Sequence, residues 1–127
     1  MAKRFEDLEV WKEARMLTKS IYGASASAAW RIDRGLQDQI RRSTVSVMAN
    51  IAEGFERGSN TEFIQFLYVA KSSLAETRSH LYAAFDQGYI SKTFFEEGLE
   101  ATKRLSGRLG KFILYLQSAR KKGIKTG

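Results

Sequence analysis

Apolar side chains recur along this chain at spacings of three and four residues, the period of a helix face and not of a strand. The first such run spans about Glu6 to Ala26. It aligns Phe5, Leu8, Trp11, Ala14, Leu17, Ile21 and Tyr22 on one side and turns Asp7, Glu9, Lys12, Glu13, Arg15 and Lys19 mostly outward. The small residues of Ser25-Ala26-Ser27-Ala28-Ala29 either fray that helix end or form the connection, and Asp33 offers an N-cap to a second helix from about Arg34 to Phe55. Gly58 follows. Ser59-Asn60-Thr61-Glu62 then spells a capping box, in which the Ser59 hydroxyl accepts from the Glu62 amide while the Glu62 carboxylate reaches back. A third helix is predicted from about Asn60 to Gln87, burying Phe63, Phe66 or Leu67, Ala70, Leu74, Thr77, Leu81 and Ala84, with Gly88 as its stop. Ser91 N-caps a fourth helix with Phe94, Phe95, Leu99, Leu105, Leu109, Phe112, Ile113 and Leu116 inward. Short connections make consecutive helices antiparallel, so the pattern predicts an all-α, antiparallel up-down-up-down four-helix bundle. Residues 1–127 read as one such domain, with a basic tail that frays from about residue 118.

One helix carries polar residues where a core face should begin. At about 100° per residue, Gln39, Ser43, Ser46, Asn50 and Glu53 fall within roughly ±40° of one line, beside the apolar sector of Leu36, Ile40, Thr44, Val47, Ile51 and Phe55. Such an edge is where a helix meets a neighbour, a second subunit or a ligand. The structural expectation is that Asn50 and Glu53 cap or bridge between helices, with Glu53 paired to Arg57, Lys71 or Arg78, since an unpaired buried carboxylate costs several kcal/mol or protonates. Ser43, Ser46 and Ala49 are small enough for close helix approach, within the bundle or across a subunit contact, and Gly54 reads as a close-approach or helix-ending residue.

Composition narrows the class. The chain has no proline and 43% hydrophobic residues, enough apolar material for a core. It has no cysteine, which excludes disulfides, thiolate metal sites and thiol nucleophiles. The N-terminus lacks an apolar signal core, and no window reaches the eighteen or so apolar residues of a membrane span, so a cytoplasmic protein is expected. The net charge of +7 is unevenly placed: residues 101–127 hold eight Lys or Arg and no acid, while the remainder is nearly balanced. That asymmetry fits a polyanion partner or a solubilising end.

Several motifs occur together in order: Phe5-Glu6-Asp7-Leu8-Glu9-Val10-Trp11-Lys12, Gly35-Leu36-Gln37-Asp38-Gln39-Ile40-Arg41-Arg42, Asn50-Ile51-Ala52-Glu53-Gly54 and Ser73-Leu74-Ala75-Glu76. In these the chain resembles the family of four-helix-bundle proteins first noticed as reading frames in intervening sequences of bacterial 23S ribosomal RNA genes, and the resemblance spans most of residues 5–90. It implies a ring-like homopentamer. More distantly the chain is similar to accessory proteins of diversity-generating retroelements, basic pentameric bundles that bind a reverse transcriptase and nucleic acid. It departs from the family pattern at Trp30-Arg31, where Phe-Pro is expected, so the lead into the second helix should differ. The resemblance carries no catalytic residues.

Candidate chemistry is sparse. Glu76 and His80 are spaced i, i+4, and Glu53 on the neighbouring helix could join them, but a lone histidine falls short of the donor set of a bundle metal centre, and a surface or capping histidine accounts for it better. No phosphate-binding loop, dinucleotide fingerprint or nucleophile elbow is present, so no enzymatic activity, metal or cofactor is expected. On the fourth helix, Arg104, Arg108, Lys111, Tyr115 and Lys122 lie within about 40° of one another, away from the apolar sector. Arginine can grip phosphate bidentately, lysine adds charge, and Tyr115 can stack on an unpaired base. Arg41 and Arg42, with Arg31 and Arg34, form a second basic cluster that either adds to this field or pairs with Asp33, Asp38 and neighbouring subunits. A solvated charged face accounts for both. The leading expectation is a non-enzymatic homo-oligomer that binds RNA or another nucleic acid without sequence specificity; the alternative is a protein-protein assembly scaffold in which the basic end is incidental.

Overall fold

A computed structural model describes residues 2–123 and is all-helical among them. A 3-10 turn at Phe5–Asp7 leads into α1 (Glu9–Ala24), followed by a short α2 (Ala28–Ile32), α3 (Arg34–Phe55), α4 (Asn60–Asp86) and α5 (Lys92–Lys121). Helices α3, α4 and α5 begin where capping chemistry places them: the Asp33 carboxylate accepts from the Leu36 amide at 3.1 Å, Ser59 Oγ from Glu62 at 3.2 Å, and Ser91 Oγ from Phe94 at 3.0 Å. Helix α4 stops at Gly88, whose φ of +76° is open to glycine without strain. There the Tyr89 amide bonds back to the Ala84 carbonyl and the Gly88 amide to Phe85, the two bonds of a Schellman turn.

Cross-helix contacts fix the directions. Thr18 Oγ1 donates to the Thr44 carbonyl and Arg41 to the Tyr22 carbonyl, so α1 and α3 are antiparallel. Thr77 pairs with Ser43 and Ser73 with Ser46, which sets α4 against α3. Lys71 reaches Ser106 while Leu81 packs at Gly98, which sets α5 against α4. The α3–α4 contact is the most extensive and α1–α5 the least among the long helices. One contiguous core runs through all of them, with Ile40, Val47, Ile51, Leu67, Ala70, Leu81, Leu109 and Leu116 wholly buried.

Three features differ from the sequence expectation. Residues 28–32 form a helix of their own because Trp30, at the position where the lead into the second long helix departs from the family pattern, is buried beside Tyr89 with ring centroids 5.4 Å apart. Tyr22 faces solvent, since its ring carries the Arg41 guanidinium 4.6 Å away. Helix α5 continues past residue 118 to Lys121 with Ala119 buried, so core packing and not fraying governs that turn; the predicted tail from Ile124 onward lies outside the described residues.

The α2 corner is locked by one more contact. Tyr89 Oη donates to Asp33 Oδ2 at 3.2 Å, tying the α4–α5 turn to the start of α3. Partial burial, then this bond and the carboxylate charge, raise the Tyr89 phenol above its ordinary value of 10.0. The stability associated with neutral Tyr89 is therefore fully present below about pH 10 and is lost as pH rises through the elevated folded value.

Three outcomes test this packing. Leu74→Asp buries a charge at a site only 1% exposed and should abolish the cooperative helical melt in circular dichroism. Gly54→Ala should lower stability by about 1–3 kcal/mol in denaturant melts, because a Cβ there would lie 2.7 Å from Phe66 Cβ and 2.8 Å from Phe63 Cδ1. Asp33→Asn, which keeps a competent N-cap, should lower the pH at which Tyr89 ionises, read as the tyrosinate absorbance difference against a Tyr89→Phe background.

Candidate nucleic-acid interface

Helix α5 segregates its exposed charges along its length. Beyond the exposed Lys92 at its start, Glu96, Glu97 and Glu100 stand exposed in its first half and Lys103, Arg104, Arg108, Lys111, Arg120 and Lys121 in its second, where Arg120 and Lys121 in the last turn suit the C-terminal end of the helix dipole. Of the predicted stripe, Arg104 and Lys111 are exposed, Tyr115 is 54% exposed, and Lys122 caps the helix. Arg108 is committed: its guanidinium forms an ion pair with Glu13 of α1. Arg104, Lys111 and Lys122 make no ion pair among the described residues, which leaves them the free cations of the stripe.

The second basic cluster is not brought to this face. Helices α3 and α5 stand diagonally across the bundle, so Arg41 and Arg42 are presented elsewhere. Arg41 is spent on structure: Nε donates to Ser25 Oγ at 2.8 Å and Nη2 to the Tyr22 carbonyl at 3.3 Å, closing the C-terminal end of α1. Arg42 is exposed at an open cleft of about 560 Å³ that it shares with Tyr22, Asp38 and Val45. Asp33 and Asp38 form no ion pair with these arginines; Asp33 serves the α3 cap and Tyr89 instead.

The polar line of α3 divides. Ser43 and Ser46 form the seam with α4, with Thr77 Oγ1 2.8 Å from Ser43 Oγ and Ser73 Oγ 2.9 Å from Ser46 Oγ, whereas Asn50, expected to cap or bridge between helices, donates Nδ2 back along α3 to the Ser46 carbonyl at 2.8 Å. Gln39 and Glu53, at its ends, are exposed. The expected pairing of Glu53 is not made, because Arg57 turns to Glu62, Lys71 Nζ donates to the Ser106 carbonyl at 3.0 Å, and Arg78 forms no ion pair among the described residues. A solvated carboxylate needs no partner. Glu76 is likewise exposed, while His80 is half-buried with Nε2 enclosed and without a hydrogen bond. Among the described residues no group of three or more histidines and carboxylates is gathered as metal ligands would be, and no helix is long and apolar enough to cross a membrane.

One surface feature has no counterpart in the sequence expectations. A groove of about 730 Å³ runs between α1 and α5, with Met16, Leu17, Ile21, Phe94 and Leu105 in its walls and Glu9, Glu13, Glu97 and Glu100 along it. Its signal was the run of acids on the same helical line as the basic stripe; that α1 would leave this side open could not be read from either helix alone.

A crystal structure of a protein of unknown function from the S23 ribosomal protein family of Bacteroides thetaiotaomicron VPI-5482 shares the fold, with a TM-score of 0.75 at 23% identity over 82% of this chain and 97% of that one. No curated protein matches the sequence. The model of the 23S rRNA-intervening sequence protein family matches residues 6–111, a span that holds Arg104, Arg108 and Lys111 but stops short of Tyr115 and Lys122. With that match over most of its length, the chain belongs to the 23S rRNA-intervening sequence protein family.

Proposed function

We propose that this protein is a non-enzymatic, homo-oligomeric helical bundle that binds nucleic acid, RNA in preference to DNA, through phosphate contacts and without sequence specificity. The observation that carries the reading is the second half of α5, where Lys103, Arg104, Lys111, Arg120 and Lys121 are exposed with Tyr115 among them and no acid lies between residues 101 and 123. Lysine and arginine at this density displace counterions from a phosphate backbone, and an exposed tyrosine stacks on unpaired bases without reading them. No helix-turn-helix pattern accompanies the stripe, so base readout has no support. A homopentamer, the assembly that the family resemblance implies, would repeat the stripe five times. A patch too weak to hold alone then gains affinity through effective concentration, with no new contact. The scaffold reading, in which the protein has no nucleic-acid role, draws on the Arg108–Glu13 pair, which already satisfies one member of the stripe.

The test is fluorescence anisotropy with single-stranded RNA, structured RNA and duplex DNA at two salt concentrations. Arg104→Glu/Lys111→Glu is the useful variant because it leaves the Arg108–Glu13 pair intact. Wild-type binding should weaken steeply with salt, and the variant should lose it, with the salt slope falling by about 0.7 for each single-strand phosphate contact removed. No binding by wild type at low salt puts the scaffold reading first, whereas equal binding by a variant of unchanged mass and helicity removes the α5 stripe as the binding surface.

A further inference from the structure

Two surface features of opposite character sit on different parts of this molecule. The first is the α1–α5 groove. Its apolar walls include Met16, left 71% exposed, and with Glu9 paired to Lys12 and Glu13 to Arg108, the carboxylates of Glu97 and Glu100 stand against one unpaired cation, Arg104. On a chain of net charge +7 it is an acidic, greasy slot. The second is the α2 corner. Ile32 is 88% exposed, the most exposed large apolar side chain among the described residues, and it stands between Arg31 and Arg34, both exposed and neither ion-paired among those residues. The corner is held rigid from beneath by the buried Trp30, packed on Tyr89, and Ala28 and Ala29 add no bulk that would keep a second surface away.

We propose that the α2 corner of one protomer docks into the α1–α5 groove of a second copy of this chain, with Ile32 entering the apolar slot and Arg31 and Arg34 meeting the carboxylates of Glu97 and Glu100. This rests on the self-assembly reading made above and assigns the surfaces that perform it. The chemistry is complementary in both respects: an isoleucine left in water gains by transfer to an apolar cleft, and guanidinium groups answer a surplus of carboxylates. Arg104 belongs to both the slot and the basic stripe, so a filled slot covers it. The knob and the slot are different surfaces, so the contact is heterologous and repeats head to tail, closing into a ring where the rotation allows. Lys111 and Tyr115 are not among the groove residues and stay available to a phosphate backbone.

The native chain has no cysteine, so introduced thiols report one contact alone. Ile32→Cys and Met16→Cys proteins, mixed and treated with a short thiol-specific cross-linker, should give a mixed covalent dimer, and the double variant a ladder that ends at the ring size. Arg31→Glu/Arg34→Glu should reduce the mass by light scattering to the 14.4 kDa protomer with its helical melt unchanged, and adding Glu97→Lys/Glu100→Lys should restore the assembly. An assembled wild type that gives no mixed cross-link, or that keeps its mass after the arginine reversal, overturns this interface and leaves self-assembly standing. A wild type that is monomeric at every concentration overturns both.

Discussion

The closeness of α3 to α4 is the constraint on which the rest of this bundle depends. At one end of the contact Gly54 lies directly against Phe63 and Phe66, with no room for a methyl group. Farther along, serine and threonine hydroxyls of the two helices meet in pairs at 2.8 and 2.9 Å. Three short contacts join Thr77 to Ser43, Ser43 to the Ile40 carbonyl and Thr77 to the Ser73 carbonyl, yet the two hydroxyls hold only two protons. The protons must therefore run in one direction or the other along the chain. Either way the buried oxygens have partners, and the small side chains let the backbones approach as bulkier apolar residues would not.

That seam makes α4 the centre of the molecule. Its other flank receives α5, where Leu81 packs into the space left by Gly98 and Lys71 crosses to Ser106. Helix α1 is attached mainly to α3, through Thr18 and through the Arg41 contacts at its C-terminal end. A helix anchored on one neighbour leaves the opposite side only partly closed, and among the described residues one ion pair, Arg108–Glu13, spans it. The α1–α5 groove is thus the residue of a packing arrangement decided on the far side of the bundle.

Charge follows the same division. Glu97 and Glu100 of α5 face the groove while Lys111, Arg120 and Lys121 lie toward its C-terminal end, so one helix presents two surfaces of opposite sign. A basic partner and a polyanion would each find a separate part of it. Net charge describes neither surface.

Helix limits were legible from the residues themselves: Asp33, Ser59 and Ser91 cap where expected, Gly88 stops α4, and the three-and-four spacing identified Leu74, Leu81, Leu105 and Leu109 as core. These are local properties, set by neighbours within one or two turns, and a sequence states them directly. The capacity of α5 to show a basic stripe was equally plain. What became of each polar group was not. Arg41 closes a helix end, Arg108 pairs with Glu13, Glu53 stands in water, and Trp30 organises a helix where a plain connection was expected. Each outcome depends on a partner far away in the chain or on packing that the helical pattern alone does not fix. The sequence by itself determined the helices and their inward faces; only the tertiary structure decided which polar side chains are spent inside the bundle and which remain free to meet another molecule, because that choice is made between helices and not along them.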